Sequence, residues 1–349
     1  MALGSGSDPT LGTGSSIGRY FSIVSVVPSV LFISWMYLLI ASGVLTDGPT
    51  VARLVENNPV AHPAYAAVAL VAAFGIAVVC HPLQFALVQI MEGYWPNTIV
   101  LRRLRSAMVM GHLQRLHRAD RRKRAAEARR NAIPDPDSGD LNQYLAPKRL
   151  MEHVAVAREV IDTQADLDAW EAADASYPSD HRAILPTMLG NTLRKHELAA
   201  GAAVHLPILQ WATHIGMVAD PAHTGYVNDQ RTQLDLAVRV AASGYLAAVV
   251  TFVVLWPTGW PVLLSLVPYA AGFLAYRGAV VAANGYGAAL RAWVDLNRSR
   301  LYEQLGLPAP ADADEERKQN LALEDLLLGN DTYTARLRTQ PAQMPRSST

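Results

Sequence analysis

Residues 240–276 read VAASGYLAAVVTFVVLWPTGWPVLLSLVPYAAGFLAY and contain no charged side chain. They form two runs of 17 residues on either side of a Pro-Thr-Gly link at 257–259. Each run is just long enough to cross the apolar layer of a bilayer as a helix. Because the link is so short, the pattern predicts an antiparallel transmembrane hairpin, with Trp256 and Trp260 as anchors at the membrane interface.

A second pair of apolar stretches lies near the N-terminus. Residues 21–43 carry no charge over 23 positions, which is long enough for one span. Residues 64–91 carry no charge over 28 positions, too many for one straight crossing, and His81-Pro82 interrupts the run. We therefore expect a helix that crosses the membrane, kinks at Pro82 and continues along the inner interface.

These stretches fit the composition, in which 51% of the residues are hydrophobic and only 17% are charged. A typical soluble domain has about 25% charged residues. The sequence therefore predicts an all-α integral membrane protein with two transmembrane hairpins flanking a cytoplasmic helical region. Its expected segments are a disordered N-terminal tail (1–20), a first hairpin with an interfacial helix (21–95), a cytoplasmic helical region (96–227), a second hairpin whose helices extend into the cytoplasm (228–306) and a C-terminal tail with one short helix (307–349).

The distribution of lysine and arginine sets the orientation. Residues 102–130 hold eleven of them against only Asp120 and Glu127, and polybasic flanks resist translocation. The loop at 45–63 holds a single arginine, and the turn at 256–261 holds no charge. Both loops are therefore expected outside and both termini inside, as in a multi-pass protein of the cell (inner) membrane.

The basic stretch from Arg102 to Arg130 is predicted to be one helix. Two partners fit its charge, namely anionic lipid headgroups beside the membrane and nucleic acid. Trp95 is the only aromatic residue between Tyr94 and Tyr144, so the stacking surface of a single-strand binder is missing. We therefore expect this helix to contact the lipid bilayer through anionic headgroups, and we expect no nucleic acid partner.

A second helix, at 148–175, is predicted to lie against the basic helix. A polar linker rich in Pro and Gly, at 131–147, separates the two. The second helix ends in a run of acidic residues: Asp162, Asp166, Asp168, Glu171 and Asp174. Opposite charges on neighbouring helices favour their pairing.

Ten histidines and one cysteine raise the question of a metal site. Four of the histidines recur every nine residues: His196, His205, His214 and His223. Nine residues turn a helix by about 900°, which puts neighbours on opposite faces. Cys80 lies in a predicted span, where a small packing role is usual. Since no phosphate-binding loop or nucleophile motif occurs either, we expect no metal, no cofactor and no catalytic residue.

Two arginines end the second hairpin at one depth. Arg239 precedes Trp256 by 17 residues and Arg277 follows Trp260 by 17 residues, so both lie about 25 Å below the outer interface. In one interpretation the arginines reach the headgroups, and Asp235 is the partner of Arg239 one turn away. In the other, several copies bring the arginines together at the cytoplasmic mouth of an anion path. Asp235, Arg239 and Arg277 are therefore the candidate polar path.

The stretch LPTMLGNTLRKHE at 185–197 predicts a further helix. Gly190 and Asn191 are unusual inside it, since Gly costs about 1 kcal/mol relative to Ala. Either another helix crosses closely at this point or a bound group uses the space. With Arg194 and Glu197, these two residues form the candidate cytoplasmic motif.

A face of small residues follows the turn of the second hairpin. Its members repeat at every fourth position: Ala271, Ala275, Ala279 and Ala283. Such a face lets helices approach closely without a hydrophobic driving force. Packing within the chain and association into a homo-oligomer explain it about equally well.

Four stretches carry a resemblance: HPLQFALVQIMEGYWP (81–96), LPTMLGNTLRKHE (185–197), QLDLAVRV (233–240) and YGAALRAWVDLNRSRLYEQLG (286–306). They resemble those of a broad group of uncharacterised bacterial four-span membrane proteins with an LPTxLGNxLR motif, over most of residues 20–308. The resemblance implies a topology and no activity, and Met188 stands where an arginine is common. The order of hairpin, cytoplasmic helices and hairpin is also similar to the layout of bestrophin-type channels, without a shared motif.

From these features we expect an oligomeric channel or transporter for a small ion or solute, with cytoplasmic helices for assembly and sensing. A membrane-anchored interaction or signalling scaffold, built on the basic and acidic helices, is the alternative. A membrane-embedded enzyme is the third hypothesis, and only the polar residues of the 185–197 helix are candidates for its active site.

Overall fold

The computed structural model describes residues 26–44, 49–57, 64–65, 67–68, 71–72, 74–75, 84–132 and 147–327. The predicted disordered tail (1–20) and the predicted kink at Pro82 lie outside these residues. Within them all regular structure is helical and no β-strand occurs, so the all-α class is confirmed for this part of the chain.

Several α-helices lie within the described residues. They are α1 (Val27–Ala41), α2 (Val51–Glu56), α3 (Gln84–Glu92), α4 (Ile99–Ala132), α5 (Pro147–Asp174), α6 (Met188–Ala199), α7 (Ile208–Val218), α8 (Pro221–Leu255), α9 (Leu266–Gln304) and α10 (Ala313–Leu327). The predicted basic helix is α4, the acidic helix is α5, and α10 lies in the described part of the predicted C-terminal tail.

The chain divides into two compact units. The first unit holds residues Met1–Gly75 and His196–Thr349, and the second unit holds Ile76–Lys195. The first unit contains the second hairpin, α8 and α9, together with α1, α2, α7 and α10. The second unit contains α3, α4 and α5, and the division falls inside α6.

Helix α8 begins at Pro221, seven residues before the predicted start of this segment at 228. Asp220 provides the start signal, because its carboxylate accepts the backbone N–H of Ala222 at 2.9 Å. Pro221 takes the first helical position, where a missing N–H costs nothing. The helix then continues for 35 residues to Leu255 without a break.

The turn of the hairpin is longer than the predicted three-residue link. A 3₁₀ turn at Trp256–Thr258 leads to Gly259, whose φ is +81°, and a second 3₁₀ segment covers Trp260–Ser265. Regular α-helix resumes only at Leu266. Proline follows each tryptophan and donates no backbone hydrogen bond, which favours short turns at this end of the hairpin.

Two glycines set the closest approach of α8 and α9. A Cβ added to Gly244 would lie 2.7 Å from the Cα of Gly272 and 3.0 Å from the carbonyl oxygen of Pro268. Small residues continue the seam along α9, where Ala279 and Ala283 are fully buried. The crossing therefore depends on residues whose side chains are absent or end at Cβ.

Helix α1 packs on α8 in a parallel direction. Trp35 donates its indole N–H to the hydroxyl of Thr251 at 2.9 Å. Four residues further along both helices, Leu39 packs with Leu255. The two helices therefore run in the same direction.

Two helical segments of the described residues are long and apolar enough to cross a membrane, Pro221–Thr258 and Trp260–Gln304. Helix α1 is apolar but has 15 residues, fewer than the roughly 20 of a full span. Most of the predicted second span lies outside the described residues. The four-span topology therefore stays a prediction.

Beyond the apolar part of the hairpin, the first unit has a buried helical core. Trp211 and Ile215 of α7 belong to a buried cluster with Trp293 and Val294 of α9. The buried residues of α9 recur at intervals of three and four positions, so they form one stripe along the helix. α9 thus joins the small-residue seam to this core as a single helix of 39 residues.

In the second unit, α4 packs against α5, as predicted. Arg129 pairs with Asp166 at 2.6 Å, and the ammonium of Lys123 lies 3.5 Å from the ring centre of Trp170. Exposed ion pairs contribute at most about 1 kcal/mol. The apolar cluster around Leu116 joins α4 instead to the segment after α5, through Tyr177 and Ile184.

We expect Gly244→Leu to destabilise the protein and Gly278→Leu to leave it unchanged. The first substitution forces atoms into the backbone of α9, which costs about 1–3 kcal/mol. The second is the matched control, because nothing lies within 4 Å of a Cβ added to Gly278. Thermal unfolding of the detergent-solubilised protein, followed by circular dichroism, measures both. Equal melting temperatures for the two variants would contradict the crossing.

Candidate functional site

Asp235 and Arg239 lie one turn apart on the buried face of α8. Their exposed fractions are 4% and 5%, so both side chains are inside the protein. Leu234 and Val238 are buried beside them on the same face. An ionised group in such surroundings needs compensating partners, because desolvation costs several kcal/mol per ion. Arg239 is therefore an internal residue of the first unit.

Arg277 lies level with Arg239 but on the outside of the hairpin. Arg239 is five residues before Gly244 and Arg277 is five residues after Gly272, so the glycine crossing puts them at one height. Arg277 is exposed, whereas the buried seam of α9 passes through Gly272 and Ala279. Within a single chain the two arginines therefore do not form one cluster.

One half of the small-residue face of α9 is buried, and the other half is at least partly exposed. Ala279 and Ala283 are fully buried against the rest of the unit. Ala271 is exposed and Ala275 is partly exposed. The half of the face farther from the turn is thus used for packing within the chain, and the half nearer the turn is left on the surface.

Gly190 of the candidate cytoplasmic motif is a packing notch. A Cβ at this position would lie 2.0 Å from the carbonyl oxygen of Glu92, at the end of α3, and 3.0 Å from the side chain of Leu185. No side chain fits there without a backbone shift. Of the two explanations offered by the sequence, the close approach of another helix accounts for this glycine.

Asn191 holds the loop before α6. Its side-chain oxygen accepts the N–H of Leu185 at 2.7 Å, and its amide donates to the carbonyl of the same residue at 3.0 Å. The side chain is fully buried. Arg194 and Glu197 are half-buried further along α6. The first two residues of the motif are therefore structural.

His196 of α6 contacts two polar side chains of α9, an arrangement that the sequence did not predict. The ring of His196 lies 3.0 Å from Oδ1 of Asn284 through Nε2, and 3.2 Å from the guanidinium of Arg291 through Nδ1. Gly287 makes the room, since a Cβ there would lie 2.0 Å from Cγ of His196. The partners are 88 and 95 positions away in the chain, which is why spacing could not show them.

The contacts of His196 indicate its tautomer. Arg291 can only donate, so Nδ1 of His196 accepts, and Nε2 must then carry the proton that Oδ1 of Asn284 accepts. The amide of Asn284 donates to the carbonyl of Val280 at 3.3 Å, which agrees with this orientation. These two contacts fit the tautomer of His196 that carries its proton on Nε2.

His112 is a second buried histidine, in the second unit. Nδ1 lies 2.9 Å from the hydroxyl of Tyr177, and Nε2 lies 3.2 Å from the carbonyl of Pro186. The carbonyl accepts, so Nε2 carries the proton and Nδ1 accepts from the tyrosine. Burial lowers the pKa of His112, and burial also raises the pKa of Tyr177. His112 is thus neutral and joins α4 to the loop before α6.

A polar cluster docks α10 on the end of α9. The hydroxyl of Tyr302 donates to Glu316 at 3.0 Å and accepts from Asn320 at 2.9 Å, and the same amide donates to the carbonyl of Val204 at 2.7 Å. Burial raises the pKa of Tyr302 to about 12. Arg298 completes the cluster at 3.2 Å from Glu316. These contacts hold α10 against the end of α9, and Oδ1 of Asn320 is buried there without a hydrogen-bond partner.

One cavity of the second unit, of about 310 Å³, brings several polar side chains together. Its lining residues are Leu113, Leu116, His117, Asp120, Trp170, Asp174 and His181. Asp120 is already paired with Arg124 at 2.8 Å. Among the described residues, no group of three or more His, Cys, Asp or Glu side chains is arranged to hold a metal.

No protein family, curated protein or solved structure matches the chain. The resemblance to bacterial four-span membrane proteins and the layout analogy to bestrophin-type channels therefore stay predictions.

We expect protonation of His112 to destabilise the second unit. The pKa of His112 is lower in the folded protein than in the unfolded chain, so the unfolded chain binds more protons as the pH falls. The stability is therefore complete above the unfolded value of about 6.5 and declines as the pH drops below it. Unfolding midpoints at pH 7.5 and 5.5 should differ less in His112→Gln than in the parent. His181→Gln, at an exposed position, should keep the parent's difference, and an equal loss in both variants would refute the assignment.

Proposed function

We propose that the protein is an integral membrane protein held in the bilayer by the hairpin of α8 and α9. The observation that carries this proposal is the exposure of the hairpin's apolar side chains. The exposed ones include Leu246, Val249, Phe252, Val253, Leu263, Leu266, Val267, Phe273 and Leu274. In a water-soluble protein a helix of this composition would be buried, because such a large exposed apolar surface is unfavourable in water. Lipid chains would cover it without further protein.

The proposed orientation puts the turn outside and the extensions of α8 and α9 inside. Trp256 and Trp260 support it, since they are 68% and 79% exposed at the turn, the usual position of tryptophan at a membrane interface. The ten exposed arginines of α4 support a cytoplasmic position for the second unit.

Cysteine labelling in intact cells tests the orientation. In a Cys80→Ser background, a membrane-impermeant maleimide should label Thr258→Cys, because the turn faces outward. Ser299→Cys, on the exposed side of the α9 extension, should react only after permeabilisation. Val267→Cys should react in neither state if lipid covers it. The reverse pattern for the first two positions would overturn the orientation, and labelling of all three would overturn the span.

Within the bilayer, we propose that several copies assemble around a path for a small anion, with Arg277 at its cytoplasmic mouth. Arg277 supports this, because it is an exposed cation at the level where the apolar part of α9 ends. The seam of a single hairpin is filled by Gly244, Gly272 and Ala279 and leaves no polar passage. A path would therefore have to form between chains, with Arg239 and Asp235 inside each wall.

Anion flux into liposomes tests the role of Arg277. Arg277→Gln should reduce chloride flux through the reconstituted protein by about tenfold, because a ring of positive charge concentrates anions at the mouth. Arg231→Gln is the matched control, an exposed arginine on the cytoplasmic extension of α8, and it should not change the flux. Unchanged flux in both variants, or a monomer in detergent, would remove the channel proposal.

A membrane-anchored scaffold is the second candidate, and the exposed face of α4 favours it. The exposed arginines of this helix are Arg102, Arg103, Arg105, Arg115, Arg118, Arg121, Arg122, Arg124, Arg129 and Arg130. A helix with this charge offers a docking surface for an acidic partner. A monomeric protein without anion flux would agree with this candidate and disagree with the channel.

A further inference from the structure

The first three turns of α4 carry an apolar strip that nothing in the second unit covers. Val100, Leu104 and Met108 follow one another at four-residue intervals, so they lie on one face of the helix. Their exposed fractions are 74%, 47% and 36%. The apolar cluster that holds α4 in the unit begins only at Val109 and Leu113.

Arginines flank this strip on both sides. Arg103 and Arg105 lie on either side of it around the helix, and Arg102 stands one position before Arg103. All three are exposed. No acidic residue occurs between Glu92 and Asp120, so this segment has no counter-charge on its own helix.

The later part of α4 has different surroundings. Asp120 pairs with Arg124 at 2.8 Å, and Asp166 of α5 pairs with Arg129 at 2.6 Å. Lys123 lies over the ring of Trp170. The second half of the helix is thus partly neutralised and packed, whereas the first three turns offer both unpaired charge and bare apolar surface.

We propose that residues 99–110 of α4 lie on an anionic lipid surface, with Val100, Leu104 and Met108 inserted at the boundary of headgroups and acyl chains. This inference rests on the proposed membrane location. A bilayer is the occupant that fits, because it offers an apolar layer and phosphates side by side to an amphipathic helix. A nucleic acid would neutralise the arginines and leave the strip in water. Tyr94, 43% exposed just before the helix, adds an aromatic side chain of the kind found at membrane interfaces.

Arg103 and Arg105 would reach the phosphates from the edges of the strip, and Arg102, on the far side of the helix, adds to the positive potential of the segment. Their long side chains keep the apolar stem against the surface and the guanidinium in the headgroup layer. Each such contact strengthens membrane binding by several-fold, so the loss of three arginines should weaken the docking of α4 by about a hundredfold.

Spin labels on the full-length protein in nanodiscs test the proposal. In the Cys80→Ser background, labels are placed at Met108, at Gln114 and, on the hairpin, at Phe273. In nanodiscs of phosphatidylcholine with phosphatidylglycerol, the Met108 label should be accessible to oxygen and shielded from a water-soluble nickel complex. The Gln114 label should show the opposite. In pure phosphatidylcholine the Met108 label should return to water.

Two triple variants test whether the docking depends on the arginines beside the apolar strip or only on the total charge of α4. Replacing Arg102, Arg103 and Arg105 by Gln should return the Met108 label to water in the anionic nanodiscs. The matched control replaces a later set by Gln, namely Arg118, Arg121 and Arg122, and should leave the label immersed. Immersion that persists in the first variant or in pure phosphatidylcholine overturns the proposal.

The Phe273 label distinguishes failure of the proposed membrane location from failure of the proposed docking of α4. If it is accessible to the nickel complex, the membrane location itself fails. If it is immersed while the Met108 label stays in water on anionic lipid, only the docking of α4 fails. Shielding of the Met108 label by added single-stranded RNA, without shielding by lipid, would also overturn the proposal and would assign the segment to nucleic acid.

Discussion

The contact of Gly244 with Gly272 is the constraint on which the first unit depends. In lipid, apolar side chains gain little by leaving one apolar environment for another, so two helices hold together by close packing. Any Cβ at Gly244 would meet backbone atoms of α9. The crossing therefore fixes both the distance and the rotation of the two helices, and only residues of minimal size permit it.

The same register continues far beyond the apolar part of the hairpin. The side chain of Gln230 reaches the surface of Gly285, where a Cβ would lie 2.8 Å from its Oε1. Further out, the indole of Trp293 donates to the hydroxyl of Thr224 at 3.2 Å. At the far end Asn297 accepts the N–H that precedes α8 at 3.0 Å. Glycine packing at one end and hydrogen bonds at the other thus maintain a single alignment of the two long helices α8 and α9.

The sequence was sufficient for the parts that local patterns determine. The hairpin, the long helix α4 and its pairing with α5 follow from uncharged runs, the absence of breakers and opposite charge. The cap at Asp220 followed by Pro221 was also a readable signal, and it would have placed the start of α8 correctly. The setting of His196 was not readable, because its partners are brought near only by the packing of α9 around Gly287. The same holds for Asn191, whose role depends on a loop that folds back on it.

Burial separates the arginines of this chain into groups with different consequences. Arg239 is enclosed, and the guanidinium of Arg291 lies 3.2 Å from Nδ1 of the buried His196. Arg277 and the first arginines of α4 are exposed. The fold determines the partners of the enclosed arginines, so we expect substitution of these arginines to change the stability of the protein. Exposed arginines beside apolar surface can bind anions from outside the chain. Arg277 and the first arginines of α4 are therefore the positions at which we expect this protein to bind external anions.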